Sequence, residues 1–153
     1  MRLLADTTYL LPAIGVAVKG LPGTILVKLF NRGDQVSISE ITLFELCAKG
    51  AKYVAEGRLT DARVSRGVRA VVYDERITHI PIHDSQVLGT AFRLRRMLND
   101  FIDCLILSSA MNCCDALLTE DEDIQNLVEQ VNFREFLQTT RPEFKVIAAR
   151  MLS

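Results

Sequence analysis

Short apolar runs of strand length alternate along this chain with stretches whose apolar residues recur at the helical period. That alternation points to an α/β domain on a mostly parallel sheet, because each parallel strand needs a crossover to return to the sheet's other end. Arg2–Asp6 reads as a short buried strand. Tyr9–Phe30 reads as helix, broken near Gly20-Leu21-Pro22-Gly23, with a second helix from about Pro22; Gly33-Asp34 is a turn and Val36–Ile38 a strand. Ser39 caps a helix from Glu40 to about Glu56, with Ile41, Phe44, Ala48, Ala51 and Ala55 as its apolar stripe. A helix over Thr60–Tyr73 precedes a strand over Thr78–Ile82. Asp84 caps a helix to about Met97, and Asn99 or Asp100 caps another over Phe101–Asn112. Ala116–Thr119 is a strand, Ile124–Val131 a helix and Lys145–Ala149 a last strand. With 153 residues and no linker-like stretch, residues 1–153 are expected to form one domain.

Four acids fall where buried chain should be apolar. Asp6 ends the run Arg2-Leu3-Leu4-Ala5, and Asp121 follows Ala116-Leu117-Leu118-Thr119. Ligands of parallel α/β sheets bind outside the carboxyl ends of the strands, where both of these acids lie. Glu45 sits mid-helix at the edge of an apolar stripe, and Asp103 shares a helix face with Ile106, Leu107 and Ala110. Each has a plainer reading: a helix cap for Asp6, a pair with Lys49 for Glu45, a favourable first-turn dipole for Asp103. Taken together they ask for more. Two carboxylates about 4 Å apart repel by roughly 4 kcal/mol at an effective dielectric near 20. A chain that gathers several must protonate some, pair them or bind a cation. Oxygen donors without a nearby His suit Mg²⁺ or Mn²⁺ rather than zinc, and such a site suggests a metal-dependent nuclease. Thr119-Glu120-Asp121-Glu122-Asp123 lies just past a strand end, which makes one or two of its acids ligand candidates.

The remaining composition narrows the classes. A net charge of −1 argues against a protein held on nucleic acid by its overall charge. Local basic patches are present: Arg58, Arg63, Arg66 and Arg69 form one, with Arg63 and Arg66 as candidate phosphate contacts, and Arg93, Arg95 and Arg96 form a second. Thr7 and Thr119, beside the strand-end acids, are candidates for touching substrate or orienting a carboxylate. The four cysteines make no Cys-x-x-Cys pair, so zinc binding and a disulfide framework are not expected. No secretory signal is evident, and the uncharged run Thr7–Val18 falls short of the roughly 20 residues a membrane span needs. A cytoplasmic protein without a membrane segment is expected.

Four segments resemble the motifs of PIN domains, in the same order. Leu4-Ala5-Asp6-Thr7-Thr8 is similar to their opening strand ending in Asp-Thr, and Thr42-Leu43-Phe44-Glu45-Leu46 to their helical Glu-Leu. Asp103-Cys104-Leu105-Ile106-Leu107-Ser108-Ser109-Ala110 resembles their Asp-x-Leu-Ile-x-x-x-Ala helix. Leu117-Leu118-Thr119-Glu120-Asp121-Glu122-Asp123-Ile124 resembles their Leu-x-Thr-x-Asp-x-Asp-Phe segment, with Ile124 replacing Phe. The resemblance implies a three-layer α/β/α sandwich around a parallel sheet of about five strands. It implies a Mg²⁺- or Mn²⁺-dependent endoribonuclease, often the VapC-type toxin of a toxin–antitoxin pair, acting on RNA, forming homodimers and silenced by an antitoxin. Carried over by position, the acidic set is Asp6, Glu45, Asp103 and Asp121, with Asp123 less central. The longer apolar segment Thr7–Asn31 departs from the compact pattern of many such toxins, which bears on partner surfaces rather than on the acids.

Other classes fit the residues less well. A phosphoacceptor receiver wants paired acids after an early strand, and a haloacid-dehalogenase-type phosphatase wants Asp-x-Asp where this chain has Asp6-Thr7-Thr8. The alternatives that keep the fold are a non-catalytic RNA- or protein-binding module and an RNA-processing PIN nuclease.

Overall fold

Strand β1 (Arg2–Ala5) is buried on both faces: Leu3, Leu4 and Ala5 all have no exposed surface. A central parallel strand is covered from both sides, so its sequence is a continuous apolar run rather than an alternating one. In this computed structural model, which describes residues 1–152, β1 lies at the middle of a five-stranded sheet. The order is β3-β2-β1-β4-β5, with β2 at Gln35–Ser39, β3 at Ile77–Ile80, β4 at Ala116–Leu118 and β5 at Lys145–Ile147. Every pairing is parallel.

The period-two alternation of the strands divides two cores. Leu3, Ala5, Val36, Ile38, Ala116 and Leu118 point to one face, where they meet Tyr9, Leu10, Ile14, Leu29, Leu46 and Val71. Leu4, Ile80 and Leu117 point to the other, against Ala91, Leu94, Cys104, Ile106, Leu107 and Phe133. The first face carries a 3-10 helix (Thr7–Ile14), α1 (Ile25–Asn31), α2 (Glu40–Ala55) and α3 (Asp61–Val72). The second carries α4 (Ser85–Leu94), α5 (Phe101–Cys113), α6 (Glu122–Leu127) and α7 (Val131–Thr140). This is a three-layer α/β/α sandwich. No helix among the described residues is long and apolar enough to cross a membrane.

Caps explain most of the helix starts. Ser39, Thr60, Asp84, Asp100 and Asp121 each accept a hydrogen bond from a backbone amide of the turn they open. Three details differ from the sequence expectation. The helix expected over Tyr9–Phe30 is a short 3-10 helix, a loop and α1, because Pro12 has no N–H to donate and Gly15 turns left-handed at φ 98°. The buried side of α2 is Thr42, Leu46 and Gly50, while Phe44, Ala48 and Ala51 face outward. The segment expected as one helix over Ile124–Val131 stops at Leu127, and α7 follows, anchored by buried Phe133.

Gly67 explains how closely α3 approaches the 3-10 helix. A Cβ at Gly67 would lie 2.2 Å from the Ala13 carbonyl oxygen. Backbone therefore packs directly on backbone, and this contact holds the segment that follows Asp6.

Candidate active site

The strand order reverses at the centre of the sheet, where β1 pairs with β2 on one side and β4 on the other. At such a switch point the loops leaving the two central strands turn to opposite faces and open a crevice. Asp6 follows β1 directly, and Thr119, Glu120 and Asp121 follow β4. Glu45 enters from α2 and Asp103 from the first turn of α5. All four acids expected from the sequence, with Asp123, line one cavity of about 440 Å³, together with Thr7, Thr8, Lys49, Glu120 and Glu122.

Donors of the chain itself hold the acids in place. Asp6 is only 7% exposed. Its Oδ1 accepts from the Thr7 amide at 2.7 Å, and its Oδ2 from the Thr119 hydroxyl at 2.6 Å. The Thr7 hydroxyl donates to Glu45 Oε1 at 2.6 Å. Asp121 caps α6 by accepting from the Ile124 amide at 2.9 Å, while its own amide donates to Thr119 Oγ1 at 3.1 Å. These bonds leave Glu45 Oε2, Asp121 Oδ2 and both oxygens of Asp103 without a donor among the described residues.

The electrostatics are those of a pocket short of positive charge. Burial pushes the Asp6 carboxyl up, opposed by the bonds from Thr119 and Thr7 and reinforced by the charges of Glu45 and Asp121. Asp103 is pushed up to about 7, first by burial and then by Asp121, Asp100, Asp6 and Glu45. Among the described residues, none of the four acids forms an ion pair, and Glu45 is not bridged to Lys49. As placed, no three acidic, His or Cys side chains among the described residues are gathered closely enough to hold a metal ion. The donor chemistry nevertheless fits a hard cation: carboxylate oxygens only, free lone pairs facing one cavity and no competing guanidinium.

Three of the four residues offered as substrate contacts have other partners. Thr7 and Thr119 are 3% and 0% exposed and their hydroxyls hold carboxylates, Thr7 also lining the cavity. Arg63 donates to the Ala13 carbonyl at 2.7 Å and clamps the 3-10 helix. Arg66 is exposed, and neither arginine lines the acidic cavity.

Glu120 is a residue that reasoning from sequence passed over. Its Oε1 accepts from the buried Tyr9 hydroxyl and, at 2.7 Å, from the Ala149 amide. The signal was present in the run of four acids after β4, but a run of acids at a helix start reads as a solvated cluster.

Residues 4–130 match the PIN domain family. The chain belongs to the PIN-domain family. No curated protein matches the sequence. Among solved structures it is similar to the crystal structure of VapBC2 from Rickettsia felis bound to a DNA fragment from their promoter. That likeness covers 97% of this chain and 98% of the other, with a TM-score of 0.59 and 16% sequence identity.

Proposed function

We propose that this PIN-domain protein is a Mg²⁺- or Mn²⁺-dependent endoribonuclease and the toxin of a toxin–antitoxin pair. The observation that carries the reading is the convergence of Asp6, Glu45, Asp103 and Asp121 on one cavity at the sheet's switch point, with no basic side chain bonded to any of them. Likeness to a chain of a VapBC2 assembly supports the toxin–antitoxin part.

In this reading Asp6, Asp103 and Asp121 hold the ion, with Asp123 at the rim. When bound, the ion stabilises charge on the scissile phosphate and makes water more acidic. Glu45, fixed through Oε1 by Thr7, keeps Oε2 free to orient the attacking water and take its proton. Hydrolysis forms one bond from that water's oxygen to phosphorus and breaks one P–O ester bond, releasing two RNA ends. Asp103, pushed up to about 7 without an ion, titrates near neutral pH, and a bound cation would favour its carboxylate form.

An apolar cleft between α2 and α3, lined by Cys47, Ala51, Val54, Ala55, Val64 and Val68, is the surface an antitoxin would cover. Homodimer formation belongs to the same reading.

Calorimetric titration of Mn²⁺ into the wild-type, Asp6→Asn and Asp103→Asn proteins tests the metal assignment, with RNA cleavage followed in parallel. Heat of binding is expected for the wild type and lost in both variants, and a chelator is expected to stop cleavage. Binding that survives both substitutions, or cleavage indifferent to chelator, defeats the reading and leaves a non-catalytic PIN module.

A further inference from the structure

Phe92 on α4 and Phe101 at the start of α5 stack on one another, with ring centroids 5.7 Å apart and planes 6° from parallel. Paired aromatics of this kind ordinarily belong to a core, yet Phe92 is 62% exposed and Phe101 37%. The residues between them carry three arginines, Arg93, Arg95 and Arg96, none of which is ion-paired with a carboxylate among the described residues. Arg93 lies over the Phe136 ring, 4.6 Å from its centroid. Backbone bonds from Arg95 to Ala91 and from Arg96 to Arg93 continue the helical path past Leu94. Arg95 and Arg96 thus sit in the turn that closes α4, between the two rings in sequence. Asp100, the acid next to Phe101, spends its Oδ1 on the Ile102 and Asp103 amides.

The ring pair lies outside the lining of the acidic cavity, at the start of the helix that supplies Asp103. Phe101 and Asp103 are two residues apart in α5, about 3 Å along the helix axis and on opposite sides of it. A strand with one phosphate at the acids must pass around the start of α5 to bring a base to the rings.

We propose that Phe92 and Phe101 form a stacking platform for a base of single-stranded RNA, with Arg95 and Arg96 meeting the phosphates beside it. The proposal rests on the nuclease reading above and adds what positions the substrate. Three physical points favour RNA over a protein partner. The two partly exposed rings offer on the order of 200 Å², far less than the roughly 800 Å² per partner of a standard protein interface. Unpaired guanidiniums beside an aromatic face are the combination that grips single strands, where every base supplies a π-face and every linkage a charge. The acidic cavity itself repels a polyanion, so the attraction must come from a surface next to it.

The test uses the full chain carrying Asp6→Asn, so that RNA is bound without being cut. Single-stranded oligoribonucleotides with 2-aminopurine at successive positions report stacking by loss of fluorescence. The expected result is quenching at one position, abolished by Phe92→Leu with Phe101→Leu and retained by Phe92→Tyr with Phe101→Tyr. Affinity is expected to fall between about 5-fold and 150-fold in the Leu pair, the range for losing one base–aromatic stack. A second arm leaves the rings intact: an oligonucleotide abasic at the quenched position should lose affinity by the same factor. Quenching unchanged in the Leu pair, or an abasic oligonucleotide bound as well as the parent, overturns the platform while RNA binding keeps the nuclease reading alive. No RNA binding by the Asp6→Asn protein overturns both. Sedimentation of the Leu pair as a smaller species than its parent, with quenching unchanged, makes the rings a contact between copies of this chain and overturns the proposal.

Discussion

The hydroxyl of Thr7 reaches across the sheet's end to Glu45, 2.6 Å from its Oε1, while the amide of the same residue holds Asp6. One residue thus sets the spacing between a strand-end acid and a mid-helix acid. Thr7→Val keeps the shape and removes only the hydroxyl. Stability is expected to fall by about 1 kcal/mol, the net worth of one hydrogen bond. Mn²⁺ affinity is expected to fall about 10-fold, as when a partner that orients a ligand is lost. Titration calorimetry alongside thermal melts checks both, and an unaltered affinity removes Thr7 from the site's architecture.

Thr119 has a harder task, because its hydroxyl donates to Asp6 and accepts from the Asp121 amide with no exposed surface. Thr119→Val strands a buried carboxylate oxygen and an amide. The expected cost is about 2–3 kcal/mol, larger than for Thr7→Val. Denaturant titration of the two variants side by side gives the order, and the reverse order contradicts the assignment.

The pH dependence follows from Asp103. Its folded pKa of about 7 stands above the usual 3.8, so the folded protein holds this proton more tightly than the unfolded chain does. The favourable contribution is complete below about pH 4 and is lost as pH rises through 7. Metal-free wild-type protein should therefore lose melting temperature from pH 5 to pH 8 more steeply than Asp103→Asn. Some slope should remain in the variant, since burial raises Asp6 as well. Calorimetric scans in chelator measure the difference, and parallel slopes for the two proteins count against a raised Asp103.

Much of this arrangement was legible in the residues. The strands announced themselves because a parallel sheet buried on both faces requires unbroken apolar runs such as Leu3-Leu4-Ala5 and Ala116-Leu117-Leu118. The acids stood out because carboxylates are costly beside such runs. The inward face of α2 was not legible. Ala48 and Ala51 look apolar but lie outside, whereas Gly50 is inside because a Cβ there would come 2.5 Å from Val64 Cγ1. Periodicity counts apolar side chains and takes no account of a helix packed through its bare backbone. Arg63 is a related case: its charge suggests phosphate, and only the fold reveals the Ala13 carbonyl it serves.

Arg63→Ala is accordingly expected to cost stability, about 1–2 kcal/mol for a charged donor's bond to the chain. RNA affinity across a salt series should stay as in the wild type, for Arg63→Ala and Arg66→Ala alike. A shallower salt slope in either variant would restore that patch as a phosphate contact.

Gly67→Ala drives a methyl group into the Ala13 carbonyl, 2.2 Å away in the present backbone. The strain is expected to cost about 2–3 kcal/mol. Because α3 must back away from the helix that starts at Thr7, metal affinity should weaken too, although no acid has been altered. A melt and a titration on the same sample decide this; full retention of both shows that the two helices separate freely.

The anchoring of Glu120 ties the crevice to the edge of the sheet. The Thr119 amide donates to Ile147, and the Ala149 amide donates to Glu120. The rim of the acidic crevice is therefore propped from behind by the strand at the sheet's edge and the residues just after it. Strain on that outer strand is therefore felt at the crevice, although the strand contributes no acid to it.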